Sequence, residues 1–203
     1  MKKYIYIKDI LDFMVAIILT ILLLPLLLCI MFIIKIDSKG PIFFKQKRIG
    51  KDKREFYIFK FRTMKIDTPK DMPTHLLDQP EVFITRVGKL LRKSSLDELP
   101  QLFNILMGQM SFIGPRPALW NQYDLIEERD KVNANAVKPG ITGLAQVNGR
   151  DELSIEEKAK YDGEYIEDIC MALDAKIAVK TIINVLSSKG IVEGNSRDNG
   201  LGV

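Results

Sequence analysis

The sequence predicts an α+β fold that is mainly helical and attached to a membrane. Three observations carry this prediction: an uncharged apolar segment near the N-terminus, two short aromatic-rich segments around a polar turn, and helical spacing of apolar residues in the second half. The expected parts are a membrane helix over residues 1–36, a folded domain over 37–191 and a flexible tail over 192–203.

Composition limits the chemistry that the chain can perform. The 203 residues are 47% hydrophobic and carry a formal net charge of +4, which suits one domain with a membrane element. The two cysteines, Cys29 and Cys170, are too few for a disulfide framework and suit a reducing compartment. His75 is the only histidine, so a zinc site or a histidine-based triad is not expected. Any metal should have oxygen ligands, and magnesium is the default beside phosphates.

The apolar segment, residues 13–34, contains no charged residue and would extend about 33 Å as a helix, enough to cross a bilayer core. Basic residues lie on both sides of it, although such residues prefer the cytoplasmic side. Pro25 lies in its middle and removes a backbone hydrogen bond. The residues alone leave two alternatives open: a single spanning anchor, or a helix that breaks at Pro25 and returns to the same face.

Residues 41–46 and 56–62 predict two short strands of a small β-hairpin, with a polar turn at 50–53 between them. Strand alternation places Lys60 and Arg62 on the same face of the second strand. That face is either a solvated or headgroup-facing surface or part of a binding site. Residues 67–80, rich in Pro, Asp and Thr, predict a loop.

Two adjacent carboxylates, Asp97 and Glu98, precede Pro100 and lie among basic residues. Side chains at consecutive helix positions point about 100° apart, so the two acids cannot perform one task symmetrically. Either they are first-turn acids of a capped helix, or they form a reactive pair in a phosphate pocket, since arginine presents planar donors to phosphate oxygens. The rigid Gly-Pro-Arg-Pro segment at 114–117 supports the pocket. The basic residues around the pair are Arg86, Lys89, Arg92, Lys93 and Arg116.

Apolar residues recur at helical spacing from Leu99 to Met110. Packing into a core is the ordinary explanation, and contact of one face with a bilayer surface is the alternative. Trp120 and Tyr123 have ring types that anchor at the headgroup level.

Residues 138–150 contain three glycines and a proline, which predicts a shaped loop where the backbone can approach a ligand. A cluster of structural turns is the alternative, and the Lys-Ser/Thr ending of a P-loop is absent from this segment. Residues 155–169 and 171–186 predict two further helices, the first of which carries Asp162.

Four segments, residues 60–64, 92–104, 110–117 and 138–150, together resemble the bacterial polyprenol-phosphate phosphoglycosyl transferases, the bacterial sugar transferase family. More narrowly, the chain is similar to the small monotopic members that start capsule and other surface-glycan chains. The resemblance implies a re-entrant membrane helix broken at Pro25, and interfacial amphipathic helices around an active site at the membrane surface. The residue before the proline is often serine in the family, whereas here it is Leu24.

The resemblance also implies roles for individual residues. Asp97 is expected to be a covalent nucleophile, and Glu98, together with Asp97, a ligand of Mg²⁺. Lys60 and Asp162 are expected to belong to the catalytic apparatus of residues 37–191. The expected phosphate-binding or nucleotide-binding residues are Arg62, Arg92, Arg116 and Arg150.

The reaction that the resemblance implies is transfer of a sugar 1-phosphate from a UDP-sugar to polyprenol (undecaprenyl) phosphate through a phosphosugar–aspartate intermediate, with release of UMP. The expected sugar is an N-acetylated, deoxy or amino hexose, and the expected location is the cytoplasmic face of the bacterial cell membrane. A homodimer is compatible with the sequence but not indicated by it. Rival explanations are a sugar-nucleotide hydrolase and a non-catalytic membrane adaptor. A nucleic-acid partner is not expected, because the basic excess lies beside the apolar segment, where anionic lipid accounts for it.

Overall fold

The computed structural model describes residues 2–68, 80–149 and 152–186. This part of the chain is mainly helical, with two small sheets and one long apolar N-terminal helix, which confirms the predicted class. The predicted tail and most of the predicted loop at 67–80, including His75, lie outside the described residues. The elements in chain order are α1 (Lys2–Asp37), β1 (Phe43–Ile49), β2 (Glu55–Phe61), α2 (Pro80–Phe83), α3 (Arg86–Lys93), α4 (Gln101–Leu106), β3 (Ser111–Ile113), α5 (Tyr123–Lys131), β4 (Gly140–Thr142), α6 (Leu144–Val147), α7 (Ile155–Glu167) and α8 (Met171–Leu186).

Helix α1 is the longest element, and its Tyr4–Asp37 part is apolar and long enough to cross a membrane by length and composition. The backbone is helical without interruption through Pro25, so the predicted break in the helix at this proline is not found. A proline inside a helix removes one N–H donor and crowds the carbonyl of the residue four positions before it. The turn before it is held in place because Leu23 packs against two core clusters.

One side of α1 packs against the folded domain along most of the helix. Its middle packs through Ala16 on β2 and α4, and its C-terminal part packs through Leu27, Ile30 and Ile34 on β2 and α3. The other side presents large apolar side chains to the surroundings. These include Ile10, Ile18, Leu22 and Phe32.

A buried polar network fixes the N-terminal end of α1 to the same domain. The Asp174 carboxylate in α8 accepts hydrogen bonds from Tyr4 Oη at 2.6 Å and from Lys8 Nζ at 2.7 Å. One turn further along α1, Asp12 accepts a hydrogen bond from Ser111 Oγ in β3 at 2.5 Å. Because buried polar groups are costly unless they are paired, these bonds determine the position of the helix on the domain.

Strands β1 and β2 form the predicted antiparallel hairpin, with Phe44 opposite Lys60 and Gln46 opposite Ile58. The polar turn is a short 3₁₀ segment, Lys51–Lys53, in which Asp52 has a φ of 54°. Ile58 of β2 is buried, and the face of the hairpin that carries it packs in the core with α1 and α4.

The segment 138–149 is not a loop throughout, as the sequence predicted, because it contains β4 and the single turn of α6. Strand β4 pairs in parallel with β3, an arrangement that requires close approach of two backbones. A Cβ on Gly140 would lie 2.2 Å from the amide nitrogen of Gly114. Glycine at 140 therefore lets this segment lie directly against the Gly-Pro-Arg-Pro segment.

The two predicted C-terminal helices are confirmed as α7 and α8. Helix α7 begins with a capping box, in which Ser154 and Glu157 each accept a hydrogen bond from the other's backbone N–H. Helix α5, which the sequence reasoning did not identify, packs on α7. This contact brings residues of α5 close to Asp162.

Candidate active site

The acidic pair lies in a 3₁₀ turn, Leu96–Glu98, between α3 and α4. Ser95 adopts a left-handed conformation with a φ of 57° and forms no side-chain cap, while Ser94 Oγ donates to the carbonyl of Leu90 at the end of α3. The serines therefore provide no side-chain cap, and the two acids lie in the first turn of a 3₁₀ segment and not of an α-helix. Pro100 is the N-cap of α4, so the acids lie outside that helix, immediately before it.

Glu98 forms the centre of a partly buried ion triad. Its Oε1 accepts hydrogen bonds from Lys60 Nζ at 2.6 Å and from Arg116 Nη2 at 2.9 Å. The Glu98 side chain is 12% exposed and that of Lys60 17%. Burial raises the pKa of the Glu98 carboxyl, but Arg116 and Lys60 outweigh it and hold that pKa well below its usual range. Glu98 is therefore a stable carboxylate.

Asp97 has different surroundings. Within residues 2–68, 80–149 and 152–186, its carboxylate forms no hydrogen bond and no ion pair. Burial raises its pKa; the nearby charges of Lys60, Arg92 and Arg116 oppose the rise, and Glu98 adds to it. The two adjacent acids thus differ: Glu98 is engaged by two cations, whereas Asp97 lies in their field without a bond to them.

The Gly-Pro-Arg-Pro segment delivers Arg116 to Glu98 and is itself held by two guanidinium groups, of the buried Arg129 and the half-buried Arg48. Arg129 in α5 donates from Nη1 to the carbonyl oxygen of Arg116 at 2.8 Å. Arg48 in β1 donates from Nη1 to the carbonyl oxygen of Pro117 at 2.9 Å. Two successive backbone carbonyls of this segment are therefore each bonded to an arginine.

Asp162 lies on α7, buried and bonded to Arg129. Its Oδ2 accepts a hydrogen bond from Arg129 Nε at 2.8 Å and lies 2.6 Å from Arg129 Nη2 in an ion pair. Its Oδ1 has no hydrogen-bond partner in the part of the chain that the structure describes. Burial raises the pKa of Asp162 despite the opposing charge of Arg129. The structure therefore connects Asp162 to the acidic pair only indirectly, through Arg129 and Arg116.

Arg62 lies in a different place from Lys60. Its guanidinium donates to the carbonyl oxygens of Ser38 and Lys39 at 2.7 and 3.0 Å, in the connection between α1 and β1. The prediction that Lys60 and Arg62 project together is wrong, because β2 ends at Phe61 and strand alternation does not extend to Arg62. Arg150, another predicted phosphate-binding residue, lies outside the described residues.

The sequence matches the family model for bacterial sugar transferases over residues 3–188. The chain belongs to the bacterial sugar transferase family. It is 41% identical over 189 residues to a UDP-glucose:undecaprenyl-phosphate glucose-1-phosphate transferase of Xanthomonas campestris pv. campestris, an alignment that covers 90% of this chain and 39% of that protein. It is 37% identical over 195 residues to the UDP-N-acetylgalactosamine-undecaprenyl-phosphate N-acetylgalactosaminephosphotransferase of Aeromonas hydrophila, with 92% and 45% coverage.

Some relatives of this bacterial sugar transferase are shorter. The chain is 42% identical over 163 residues to the uncharacterized sugar transferase EpsL of Bacillus subtilis, with 80% of this chain and 79% of that protein covered. It therefore spans less than half of the Xanthomonas and Aeromonas proteins but most of EpsL. The shared region contains the acidic pair, the hairpin and the Gly-Pro-Arg-Pro segment.

Sequence reasoning missed three residues that shape the site of this sugar transferase. Arg48 belongs to a basic run assigned to lipid contact, and Arg129 lies in a charged segment with no pattern that marks it. Asn104, fully buried in α4, accepts from the Phe59 amide at 3.0 Å and donates to the Tyr57 carbonyl at 2.8 Å. It thereby fixes β2, and with it Lys60, relative to the acidic pair.

The donor set of the site suits magnesium bound together with phosphate. Asp97 and Glu98 are adjacent carboxylates, and the described residues contain no group of three or more metal-binding side chains that could hold an ion without a substrate. Mg²⁺ usually takes one or two carboxylates and completes its coordination with water and substrate phosphates. The residues present therefore fit magnesium only in company with a phosphate-bearing substrate.

Proposed function

We propose that this protein transfers a sugar 1-phosphate from a UDP-sugar to polyprenol (undecaprenyl) phosphate, forming a polyprenyl-diphosphate-sugar and UMP. The family, and the activities for which the Xanthomonas and Aeromonas relatives are named, support this reaction. The observation that carries the proposal is the contrast between the two acids: Glu98 is bonded to two cations, whereas Asp97, which has no bond to any described residue, lies in the field of three.

In the proposed first step, an Asp97 carboxylate oxygen attacks the β-phosphorus of the UDP-sugar. A bond forms between that oxygen and phosphorus, the bond between phosphorus and the bridging diphosphate oxygen breaks, and UMP leaves with the bonding electrons. Lys60, Arg92 and Arg116 offset the negative charge that gathers around Asp97 and lower the electrostatic barrier to an anion attacking an anion. The phosphosugar remains on Asp97 as an acyl phosphate.

In the second step, a phosphate oxygen of the polyprenol phosphate attacks the same phosphorus. The bond from phosphorus to Asp97 breaks, and the carboxylate is regenerated. Glu98 stays ionised throughout, because Arg116 and Lys60 hold its pKa low. Its role is therefore to hold cations and not to exchange protons.

Magnesium is the proposed cofactor, with Glu98 as its main protein ligand and Asp97 beside it. When bound, the ion would neutralise part of the diphosphate charge. Glu98 Oε1 already accepts from Lys60 and Arg116, which leaves Oε2 as the oxygen of this residue for a metal.

We propose that the protein enters the membrane from one face only and does not span it. Both ends of α1 contact the same domain: Tyr4 and Lys8 bond to Asp174 in α8, and Ile34 packs on β2 and α3. A straight spanning helix would carry one of these ends to the far side of the bilayer, away from the domain. The exposed apolar side of α1 would then lie along one leaflet, a monotopic placement that requires no break at Pro25.

The outer face of α8 is proposed to lie at the same membrane surface. Val179 and Ile182 are 56% and 60% exposed on one side of this helix, and Lys176 and Lys180 flank them, a pattern typical of interfacial helices. The basic residues on both sides of the apolar segment favour the cytoplasmic face. For the sugar, we propose an N-acetylated, deoxy or amino hexose, as part of the initiation of a surface glycan.

The experiment is transfer of radiolabelled sugar phosphate from a panel of UDP-sugars, including UDP-glucose, to undecaprenyl phosphate. Detergent-solubilised wild type is compared with Asp97→Asn and with Asp130→Asn, a matched change at a surface aspartate bonded to Lys53. Lipid-linked product and UMP from wild type and Asp130→Asn, but not from Asp97→Asn, are the expected results. UMP without lipid product would indicate a hydrolase, and wild-type rates in Asp97→Asn would exclude Asp97 as the nucleophile.

A further inference from the structure

We propose that Arg129 is a positioning residue of the active site, which holds the Arg116 backbone so that the Arg116 guanidinium meets Glu98. Asp162 acts through Arg129 and does not touch the substrate. This inference rests on the proposed transfer reaction, and it assigns a role to a residue of α5 that no motif marks.

Arg129 is itself held in place by Asp162. Its side chain is 5% exposed, and that of Asp162 is 1% exposed. Asp162 Oδ2 accepts a hydrogen bond from Arg129 Nε and forms an ion pair with Nη2 of the same side chain. Because the guanidinium group is planar and rigid, these two contacts determine the direction of the remaining nitrogen, Nη1. The ion pair between α5 and α7 thus aims one N–H donor at a defined point.

That point is the carbonyl oxygen of Arg116, 2.8 Å from Arg129 Nη1. Arg116 lies between Pro115 and Pro117. The following proline restricts the backbone of Arg116 to extended conformations, and a bond to its carbonyl selects one orientation of the peptide plane within that range. The Arg48 bond to the Pro117 carbonyl fixes the next peptide in the same way.

The held backbone matters because the Arg116 side chain is not enclosed. It is 31% exposed, so packing alone does not immobilise it. Its Nη2 nevertheless lies 2.9 Å from Glu98 Oε1. An arginine on a freely rotating segment would lose this contact through small backbone changes, and displacements of about 1 Å at a reacting centre cost on the order of 100-fold in rate.

The second carboxylate oxygen of Asp162, Oδ1, is buried and has no hydrogen-bond partner among the described residues. Asp162 contacts Arg129 through the other oxygen, Oδ2. Loss of Asp162 would therefore release the Arg129 guanidinium and, with it, the Arg116 carbonyl. We expect substitution of Asp162 to impair transfer in the same way as substitution of Arg129. This effect does not require Asp162 to take a proton from the lipid substrate.

The test is a double-mutant cycle on the full chain in detergent with a UDP-sugar that the wild type uses. Arg129→Lys keeps a positive charge for Asp162, but one ammonium group cannot reproduce the planar arrangement of donors that contacts Asp162 and the Arg116 carbonyl together. We expect Arg129→Lys to lower kcat/KM by roughly 10- to 100-fold in the wild-type background and by less than about twofold in the Arg116→Gln background. Asp162→Asn should show the same dependence on Arg116.

A residue that only stabilises the fold would behave differently, because its effect would multiply with that of Arg116→Gln. Arg62→Lys is the matched control: Arg62 is also 5% exposed and also donates to backbone carbonyls, but near Ser38, so its effect should be the same in both backgrounds. For variants whose turnover is too slow to measure, the same double-mutant cycle is built from the UDP-sugar affinity, measured by calorimetry.

The outcomes separate the two proposals. A wild type without transfer activity would refute the proposed function. An active wild type in which Arg129→Lys and Arg116→Gln multiply would overturn the positioning role, as would an Asp162→Asn variant that loses activity equally with and without Arg116. Thermal unfolding of each variant identifies losses that arise from a reduced folded fraction.

Discussion

Glu98→Gln is the change whose effect on stability follows most directly from the structure. It preserves the size of the side chain but removes the carboxylate that Lys60 and Arg116 share at 2.6 and 2.9 Å. Removing one partner of a buried ion pair costs about 3–5 kcal/mol, because the remaining charge is left uncompensated. Since Lys60 is 17% and Arg116 31% exposed, water compensates in part, and we expect a loss near the lower limit, about 3 kcal/mol.

For a chain of this size, that loss lowers the melting temperature by about 6–12 °C. The assay is thermal unfolding in detergent, followed by circular dichroism at neutral pH without magnesium. The hairpin offers a matched control, because Lys47 and Glu55 form a second pair with the same separation of 2.6 Å but with side chains that are 35% and 52% exposed. Glu55→Gln should cost no more than about 1 kcal/mol, as exposed pairs do.

The comparison tests burial directly, since both substitutions break a lysine–glutamate pair of equal length. Equal losses for Glu98→Gln and Glu55→Gln would refute the argument that desolvation makes the Glu98 triad important for the fold. A larger loss for Glu55→Gln would contradict the placement of the triad in the interior.

Three further results are expected. Because its pKa is lowered in the folded state, Glu98 contributes stability that is fully present above its ordinary pKa of 4.5 and is lost as the pH falls through the lower folded value; the difference in unfolding free energy between wild type and Glu98→Gln should therefore be constant at neutral pH and shrink below about pH 4.5. Gly140→Ala places a Cβ 2.2 Å from the Gly114 nitrogen and should cost at least about 1–3 kcal/mol of unfolding free energy by overpacking. Gly108→Ala, where a Cβ would have nothing within 4 Å but the φ is +71°, should cost about 1–2 kcal/mol through backbone strain alone. Equal melting temperatures for wild type and Gly140→Ala would contradict the close contact. Asn104→Leu removes the amide that bonds to the β2 backbone at 3.0 and 2.8 Å and should cost about 2–4 kcal/mol, with faster hydrogen exchange of the Phe59 amide; unchanged exchange there would show that this bond does not hold the strand.

Much of the local structure could be predicted from the sequence, because the signals involved are short-range. The hairpin and the boundaries of α8 follow from patterns of a few residues, and the apolar segment of α1 follows from composition. The acidic pair was recognisable because Asp97 and Glu98 are adjacent in the chain and surrounded by arginines and lysines. Two of the predictions that failed show the limits of such signals. The break at Pro25 was taken from the family resemblance, and packing of α1 on the domain accompanies an unbroken helix instead. The shared direction of Lys60 and Arg62 extended strand alternation beyond the end of β2.

The sequence by itself determined the kind of protein and the kind of ligand: a membrane-attached helical protein whose acids and arginines suit phosphate. Only the tertiary structure decided how the two acids differ, since the partners of Glu98 come from β2 and from the Gly-Pro-Arg-Pro segment. It also decided that Arg129 links Asp162 to Arg116 across three elements. These pairings join residues 13 to 38 positions apart, and nothing in a single sequence specifies them, because the free energy of such contacts depends on burial that exists only once the chain has folded.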